Sequence, residues 1–213
     1  MRISILGAGN MAEVLGAKWA ANGHDLMITG RSSEKAAALA DRLNARTGSF
    51  AEAALHADAA LIAVLYQGME YTLERIGDGL RGKPIIDCNN PVEIEGFTLT
   101  TPPGESMAQQ IAKATGGHVV KAFNLCHADV WRMPSIAFDG RPLTVPYCGD
   151  HPTALHATTR LIEDVGGVPL QTGDLRHAHY LEASAAIIIA QLFRGRPTRT
   201  VFNLVDDQTP ATQ

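Results

Sequence analysis

A glycine-rich turn near the start of the chain sets the strongest restriction on its fold. Residues 2–6 alternate in polarity and include β-branched side chains, which predicts a strand, and apolar residues at positions 11, 14, 15 and 19 predict a helix. Between the two elements the chain reads G-x-G-x-x-A: Gly7, Ala8, Gly9, Asn10, Met11 and Ala12. This strand–turn–helix order is typical of a βαβ unit that binds a dinucleotide.

Each small residue of the turn has a physical reason to be small. Gly7 permits the tight turn, Gly9 lets a pyrophosphate approach the main chain, and Ala12 allows the helix to pack closely on the strand. The helix amino terminus adds free N–H groups and a partial positive charge, which favour a phosphate. The turn therefore predicts a pyrophosphate site, and the alternative is a purely structural turn.

The order of the remaining elements predicts an α/β fold. Apolar runs that read as strands alternate with amphipathic segments that read as helices, and the connections are short. Such a chain forms a parallel sheet covered on both faces, a Rossmann-type doubly wound sheet. The predicted strands are 25–29, 59–65, 84–87, 118–122 and 168–172, the helices 32–43, 50–56, 69–76, 105–114, 157–165 and 175–193, and the long loop 89–104.

This pattern also predicts the organisation of the chain. Residues 1–122 form the nucleotide-binding Rossmann domain, and residues 123–205 form a smaller C-terminal α/β extension on the acceptor side. Residues 206–213 form a polar tail.

Composition excludes several classes of partner. The 18 Lys and Arg against 22 Asp and Glu give a net charge of −4, which argues against a nucleic acid partner. Three cysteines without a C-x-x-C spacing favour a reducing compartment over a disulfide framework. The most apolar stretch, 183–192, is shorter than the ~20 residues of a membrane helix. We therefore expect a cytoplasmic protein that acts on a small molecule, away from membranes.

The end of the second predicted strand indicates which dinucleotide binds. An NAD site has an acidic residue there, whereas this chain has Gly30, Arg31, Ser32, Ser33 and Lys35. Arg31 can stack on adenine and bind a 2′-phosphate, the two serines can donate hydrogen bonds to that phosphate, and Lys35 adds charge. The loop predicts NADP(H), although either serine can also cap the following helix.

With these motifs in place, the chain resembles the coenzyme F-420 (deazaflavin)-dependent NADP reductases. The resemblance includes Gly7 to Ala12, Gly30-Arg31-Ser32, Ala63-Val64, Asn90-Pro91-Val92, residues 119–124 and 145–150, and a segment from Leu170 to Leu192. It implies a Rossmann domain and a smaller C-terminal part that closes a cleft over the nicotinamide.

The resemblance also implies positions for individual residues. Ala63, Val64 and Leu65 would lie along the cofactor and Pro91 near the nicotinamide, and Asn90 would also bind the cofactor. Cys126, His127 and Ala128 match the family loop between the nicotinamide and the deazaflavin. The family tends to have prolines where this chain has Leu65 and His127, so the acceptor is a deazaflavin, an ordinary flavin or another small molecule.

Two polar residues are the candidates for chemistry at the acceptor. His127 could hydrogen-bond a ring carbonyl or donate a proton, and otherwise it is a loop histidine or a helix cap. Asn124 follows a strand end and could bind the carboxamide or a substrate carbonyl. The histidine pairs 151/156 and 177/179 lack the i, i+4 spacing of helical metal ligands, so no metal is expected.

The last apolar segment bears on whether the chain forms a dimer. Residues 183–192 are apolar almost all round, which predicts a helix buried within the subunit or packed against a second copy, and we expect a homodimer. Arg176 and Glu182 nearby are expected to form a solvated ion pair, locally or at a subunit contact.

The sequence as a whole predicts an oxidoreductase that passes a hydride directly between NADPH and a deazaflavin or flavin-like ring, without a covalent intermediate. An alternative is a non-catalytic NADP(H)-binding module that senses redox state. A reductase of small imines or carbonyl compounds would usually need a larger helical C-terminal domain.

Overall fold

The computed structural model describes residues 1–138 and 140–196, and in these residues a central sheet is covered by helices on both faces. Its helices are α1 (Asn10–Ala21), α2 (Ser33–Leu43), α3 (Phe50–His56), α4 (Met69–Ile76), α5 (Met107–Thr115), α6 (Ala128–Arg132), α7 (Pro152–Asp164) and α8 (Ala178–Phe193). Its strands are β1 (Arg2–Leu6), β2 (Asp25–Thr29), β3 (Arg46–Thr47), β4 (Ala59–Ile62), β5 (Pro84–Asp87), β6 (Val92–Glu93), β7 (Thr98–Leu99), β8 (His118–Lys121), β9 (Ala137–Phe138), β10 (Arg141–Pro142), β11 (Thr144–Gly149) and β12 (Val168–Gly173).

The main sheet has the doubly wound topology that the sequence predicts. Within the described residues it has eight strands in the order β12-β11-β8-β5-β4-β1-β2-β3. Neighbouring strands run parallel except at β8 and β11, which are antiparallel. The prediction of a Rossmann-type α/β fold is confirmed.

The central strand β1 shows how alternation builds the two core layers. Ile3 and Ile5 face one side and belong to a core cluster with Leu15 of α1 and Leu39 of α2. Ser4 points to the other face, where its hydroxyl donates a hydrogen bond to the carbonyl oxygen of Ala53 in α3 at 2.7 Å. Because successive side chains of a strand alternate, one short segment anchors helices on both faces.

Several predicted boundaries are wrong by a few residues. The strand predicted at 59–65 ends at Ile62, and the run after it leaves the sheet, with Leu65 81% exposed. The helix predicted from residue 157 begins at Pro152, because proline fits a first helical position, where no N–H is needed. The predicted loop 89–104 contains the antiparallel pair β6–β7. A 3-10 turn, Leu175–His177, opens the predicted helix 175–193.

The predicted division at residue 122 falls within the sheet. Strand β8 ends at Lys121, and Lys121 pairs with Cys148 of β11, so the two predicted regions contribute to one sheet. The division into two units stays a prediction. The predicted tail 206–213 and the last part of the predicted C-terminal region, 197–205, lie outside the described residues.

An aromatic cluster fixes the chain directly after β8. Phe123 is buried, with its ring edge-on to Trp19 at 6.1 Å and to Trp131 at 5.3 Å between centroids. Its φ of 64° is in the left-handed region, which a residue with a Cβ adopts at a cost of roughly 1–2 kcal/mol. Burial of the ring between two tryptophans offsets that cost, and the turn directs the following residues toward the edge of the sheet.

The backbone of Phe123 generates a prediction about stability. Phe123→Ala should lower the free energy of unfolding by about 3–5 kcal/mol, because it leaves a cavity between the tryptophans. Phe123→Gly should be about 1 kcal/mol more stable than Phe123→Ala, because glycine adopts a positive φ without strain. Urea unfolding of the two variants measures the difference. An alanine variant more stable than the glycine variant would show that the left-handed backbone carries no strain.

Candidate functional site

The candidate site lies at the edge of the sheet where parallel strands end. Strands β1, β4 and β5 are neighbours that run parallel, and β8 lies beside β5, also parallel. The loops that follow them therefore meet at one edge, which is where ligands bind in open α/β sheets. Two neighbouring cavities open there, and both are lined by residues of these loops.

The glycine-rich turn has the geometry that a phosphate site requires. Gly7 has a φ of 131°, and a Cβ at this position would overlap the carbonyl oxygen of Ala63, so only glycine fits. Gly9 begins helix α1, and no atom lies within 4 Å of the place where its Cβ would be. The open space stands over helix N–H groups that no side chain caps. These residues therefore fit a pyrophosphate, and Ala12 is buried beneath them as a packing residue.

The first cavity, the cofactor cleft, has a volume of about 610 Å³. It contains most of the predicted cofactor residues: Gly7, Ala8, Gly9, Asn10, Met11, Gly30, Arg31, Ser32, Lys35, Ala63, Val64, Leu65 and Asn90. Sequence reasoning missed seven of its lining residues: Tyr66, Gln67, Gly68, Thr72, Cys88, Asn89 and Ile189. Three predicted residues do not line it, since Ala12 is buried, Ser33 faces an adjoining cavity of about 840 Å³, and Pro91 lines none of these cavities.

One end of the cofactor cleft is cationic. Arg31 and Lys35 are exposed, and in the described part of the chain neither pairs with a carboxylate. The hydroxyl oxygen of Ser32 caps α2 by accepting from the main-chain N–H of Lys35 at 3.2 Å. Because a hydroxyl also has a hydrogen to donate, the cap and a phosphate contact are compatible. Glu34, the one acidic residue of this loop, is exposed.

The second cavity, the acceptor cavity, has a volume of about 250 Å³ and adjoins the cofactor cleft. It is lined by all three predicted acceptor-side residues, Cys126, His127 and Ala128, and by Asn124. It shares four lining residues with the cofactor cleft: Met11, Cys88, Asn90 and Ile189. The structure thus brings the predicted acceptor residues beside the predicted nicotinamide end.

His127 and Cys126 differ in what they can offer. The His127 side chain is 60% exposed, and its Nδ1 lies 3.3 Å from the main-chain nitrogen of Asp129 at the start of α6, so the predicted helix cap is present. A carboxylate oxygen of Asp129 also lies 3.2 Å from Nδ1. Because Asp129 occupies Nδ1, Nε2 is the ring nitrogen that remains for a ligand. Burial raises the pKa of the Cys126 thiol to about 11, so it is a neutral group and no nucleophile.

Asn124 is held in one orientation. Its Nδ2 donates to Oδ1 of Asn90 at 2.9 Å and to the carbonyl oxygen of Leu181 at 3.1 Å. Its Oδ1 is buried and has no hydrogen-bond partner in the described residues. An unpaired buried acceptor costs about 1–3 kcal/mol, and a ligand N–H would recover that cost. The predicted contact with a substrate carbonyl is therefore disfavoured, because the free oxygen needs an N–H, either of the carboxamide or of the acceptor.

A fully buried charged cluster lies behind the wall of the cavities. Lys121 of β8 donates to Oδ2 of Asp87 at 2.8 Å, to Oε1 of Glu182 at 2.7 Å and to the main-chain oxygen of Asn89. Burial raises the pKa of Glu182, whereas Lys121 opposes that rise. Burial acts to lower the pKa of Lys121, but Asp87 and Glu182 outweigh it and raise the pKa, so the ammonium stays charged.

This cluster corrects a prediction. The expected solvated pair of Arg176 with Glu182 is wrong, because Arg176 pairs with Asp174 at 2.6 Å and Glu182 is fully buried against Lys121. A lysine that follows two valines in a buried strand is the signal that could have indicated a buried partner.

The described residues lack two features, a cluster of metal ligands and a membrane-spanning helix. They contain no group of three or more His, Cys, Asp or Glu that could hold a metal ion. In residues 1–138 and 140–196, no helix has both the length and the apolar character needed to cross a membrane.

Comparison with known families supports the class that the fold and cavities define. Residues 2–91 match the family described as NADP oxidoreductase, coenzyme F420-dependent. The resemblance predicted from the sequence is thereby confirmed. The matches also confirm the predicted class, the NADP-dependent oxidoreductases, and leave the acceptor open.

The chain covers very different fractions of the curated relatives that it matches. It is 26% identical over 214 residues to the F420-dependent NADP reductase of Methanothermobacter thermautotrophicus, covering 92% of this chain and 91% of that protein. It is 29% identical over 182 residues to the rat metalloreductase STEAP3, covering 85% of this chain but only 36% of that protein. The chain therefore spans about a third of the metalloreductase.

Solved structures share the fold. An Arthrobacter protein assigned provisionally as an F420-dependent NADP reductase has a TM-score of 0.81 at 22% identity, with 92% of this chain and 96% of that chain covered. A reductive aminase of Aspergillus terreus, solved with NADPH4, has a TM-score of 0.68 at 18% identity, with 91% of this chain and 62% of that chain covered. At these identities the likeness concerns the fold alone.

The cationic end of the cleft generates a prediction about cofactor choice. Arg31→Asp should shift the ratio of the NADP+ and NAD+ dissociation constants toward NAD+ by at least about tenfold, because a charge-assisted contact is lost and a repulsive charge is added. Arg81→Asp changes an exposed arginine that lines none of the three cavities and should leave the ratio unchanged. Calorimetric titration measures both ratios. An unchanged ratio in Arg31→Asp would contradict the assignment of this loop.

Proposed function

We propose that the protein transfers a hydride between NADPH and a deazaflavin (coenzyme F-420) or flavin-type acceptor, directly from ring to ring and without a covalent intermediate. The observation that carries the proposal is that the cofactor cleft and the acceptor cavity share Met11, Cys88, Asn90 and Ile189. Rings bound in adjoining cavities can approach within the ~3–3.5 Å that the transfer requires. When bound, NADPH supplies the hydride.

On the cofactor side, the residues of the chain bind and orient NADP(H). The N–H groups at Gly9 and the start of α1 bind the pyrophosphate, while Arg31, Ser32 and Lys35 bind the 2′-phosphate. Ala63, Val64 and Leu65 lie along the cofactor, and Asn90 flanks the nicotinamide end, whereas Pro91 lines none of the three cavities. Ser33 contributes from the adjoining cavity rather than from the cleft itself.

On the acceptor side, a polar edge faces an apolar wall. Oδ1 of Asn124 accepts an N–H of the acceptor, and Nε2 of His127 meets a ring carbonyl. Flavins and deazaflavins carry an N–H between two carbonyls in one ring, which matches this pair of groups. Ala185, Ile188 and Leu192 of α8 line the cavity and exclude water, which protects the hydride from competing reactions.

A second candidate function is a non-catalytic module that binds NADP(H) and senses redox state. It is favoured by the exposure of Leu65 and His127 at two positions where the family tends to have prolines. An open cleft edge can present the bound cofactor to a partner protein instead of to a small acceptor. Turnover separates the two candidates.

The acceptor assignment generates a prediction about turnover. In the presence of NADPH, a deazaflavin or a riboflavin derivative should be reduced, and quinones, which have no ring N–H, should react more slowly by about tenfold. The decrease in absorbance at the nicotinamide band measures the rate. Tight binding of NADPH with no turnover for any acceptor would favour the sensor.

A methylated acceptor sharpens this test. A flavin methylated on the nitrogen between its two carbonyls cannot donate to Asn124, so the wild-type protein should prefer the parent flavin by about tenfold in kcat/KM. Asn124→Leu should abolish the preference, because its side chain has no acceptor. A preference that persists in Asn124→Leu would assign recognition of the N–H to another group.

We further propose that the chain forms a homodimer through α8 and resides in the cytoplasm. Tyr180 and Ile187 are 64% and 51% exposed, and their spacing of seven residues places them on one face of the helix. An exposed apolar stripe of this kind is typical of an interface. The three cysteines are unpaired, which supports a reducing compartment.

The dimer proposal generates a prediction about mass in solution. The wild-type protein should have the mass of two chains, and Ile187→Glu should shift the protein toward the mass of one chain, because it places a charge in an apolar contact. Leu55→Glu changes a residue of α3 that is 79% exposed and should remain dimeric. Light scattering after size-exclusion chromatography measures the mass. A monomeric wild-type protein would contradict the proposal.

A further inference from the structure

We propose that the buried Asp87–Lys121–Glu182 cluster carries a net charge of −1 and favours the oxidised over the reduced nicotinamide in the cofactor cleft. The inference rests on the proposed binding of NADP(H) there. It assigns these residues an electrostatic role in the reaction, through the cofactor and without contact with it.

The hydrogen bonds of the cluster indicate its charge. Oδ1 of Asp87 accepts from the main-chain nitrogen of Asn89 at 2.9 Å and from its Nδ2 at 2.7 Å, while Oδ2 accepts from Lys121. Both oxygens of Glu182 accept from the main-chain nitrogen of Met107, at 3.0 and 3.1 Å. Donors alone surround both carboxylates, and for Glu182 these hydrogen bonds and the Lys121 ammonium oppose the rise in pKa that burial causes, which favours the ionised form. Two carboxylates and one ammonium leave one negative charge.

The position of the cluster brings this charge to the wall of the cleft. Lys121 donates to the main-chain oxygen of Asn89, and Asn89 lines the cofactor cleft. Glu182 follows Leu181, whose carbonyl oxygen accepts from Asn124 in the acceptor cavity. The cluster therefore lies directly behind the place where the two cavities meet.

Neighbouring titratable groups do not change this charge. Burial raises the pKa of the Cys88 thiol to about 12, and it raises the pKa of the Cys148 thiol to about 12 as well. Both thiols are neutral at physiological pH. The side chains of all three cluster residues have no exposed surface, so salt and water screen their charge only weakly.

The two redox states of the cofactor respond differently to a buried negative charge. The nicotinamide ring is neutral in NADPH and carries one positive charge in NADP+. A unit charge ~10 Å from its partner in an effective dielectric constant of about 20 changes an equilibrium by about tenfold. The negative charge of the cluster should therefore strengthen the binding of the oxidised ring relative to the binding of the reduced ring. As a consequence, bound NADPH should be a stronger hydride donor.

Separate titrations with NADP+ and NADPH, in the absence of an acceptor, test the proposal. Glu182→Gln retains the shape of the side chain and removes the net charge, so the ratio of the NADP+ to the NADPH dissociation constant should rise by about tenfold. The matched control is Glu163→Gln, an exposed residue of α7 outside the three cavities, which should leave the ratio unchanged. A purely structural role of Glu182 would weaken both ligands equally, and that result would overturn the proposal.

Two further variants separate charge from packing. The double variant Lys121→Gln with Glu182→Gln retains only Asp87 as a charge, so the net charge returns to −1 and the ratio should return toward the wild-type value. A double variant with a ratio as high as that of Glu182→Gln would also overturn the proposal. If Glu182→Gln does not fold, Asp87→Asn removes the same charge and should raise the ratio by the same factor.

The failure of the proposed function has a different signature. A wild-type protein that binds neither NADP+ nor NADPH would overturn the proposed cofactor site, and this inference with it. A wild-type protein that binds both, with a ratio that neither Glu182→Gln nor Asp87→Asn changes, would overturn this inference alone.

Discussion

The ammonium of Lys121 joins the elements on which the candidate site depends. It binds Asp87 at the end of β5 and Glu182 in α8, residues that lie 34 and 61 positions away along the chain. Loss of one partner from such a buried network typically costs about 3–5 kcal/mol, because a charge is left uncompensated. The network holds α8 against the ends of the central strands, and α8 supplies the apolar wall of the acceptor cavity. Both cavities therefore depend on a contact far from the nucleotide-binding turn.

The proposed function assigns the cofactor and the acceptor to different cavities. The cofactor cleft has glycine backbone and cations at one end, where the turn at Gly7 tolerates no Cβ and Gly9 leaves open space over the start of α1. The acceptor cavity is smaller and largely apolar, with Asn90, Asn124 and His127 as its polar groups. Little more is required of side chains in a transfer between two rings, since position and exclusion of water supply most of the effect.

Sequence reasoning succeeded where the relevant pattern is local. The G-x-G-x-x-A turn and the loop around Arg31 each lie within a few residues, and the structure brings both to one cleft. The boundaries of β4 and α7 were less accurate, because an apolar run does not indicate where a chain leaves its sheet. The antiparallel pairing of β8 with β11 was also missed, since it joins segments that are distant in sequence.

The buried cluster could not be predicted for the same reason. Glu182 has Arg176 nearby in sequence, and its true partner, Lys121, is 61 residues away. The unpaired Oδ1 of Asn124 likewise depends on Asn90 and Leu181, which fix its amide from two other elements. Local spacing identified Asn124 as a candidate, and only the fold determined which of its atoms a ligand would meet.

The central claim is a direct transfer between rings in adjoining cavities. It is tested most directly with NADPH carrying deuterium at the transferred position and a 5-deazaflavin acceptor, whose receiving atom is a carbon that does not exchange with water. Mass spectrometry of the reduced acceptor after turnover reports the fate of the label. The account predicts that the deuterium is retained on the acceptor ring. Reduced acceptor that contains only solvent hydrogen would contradict it.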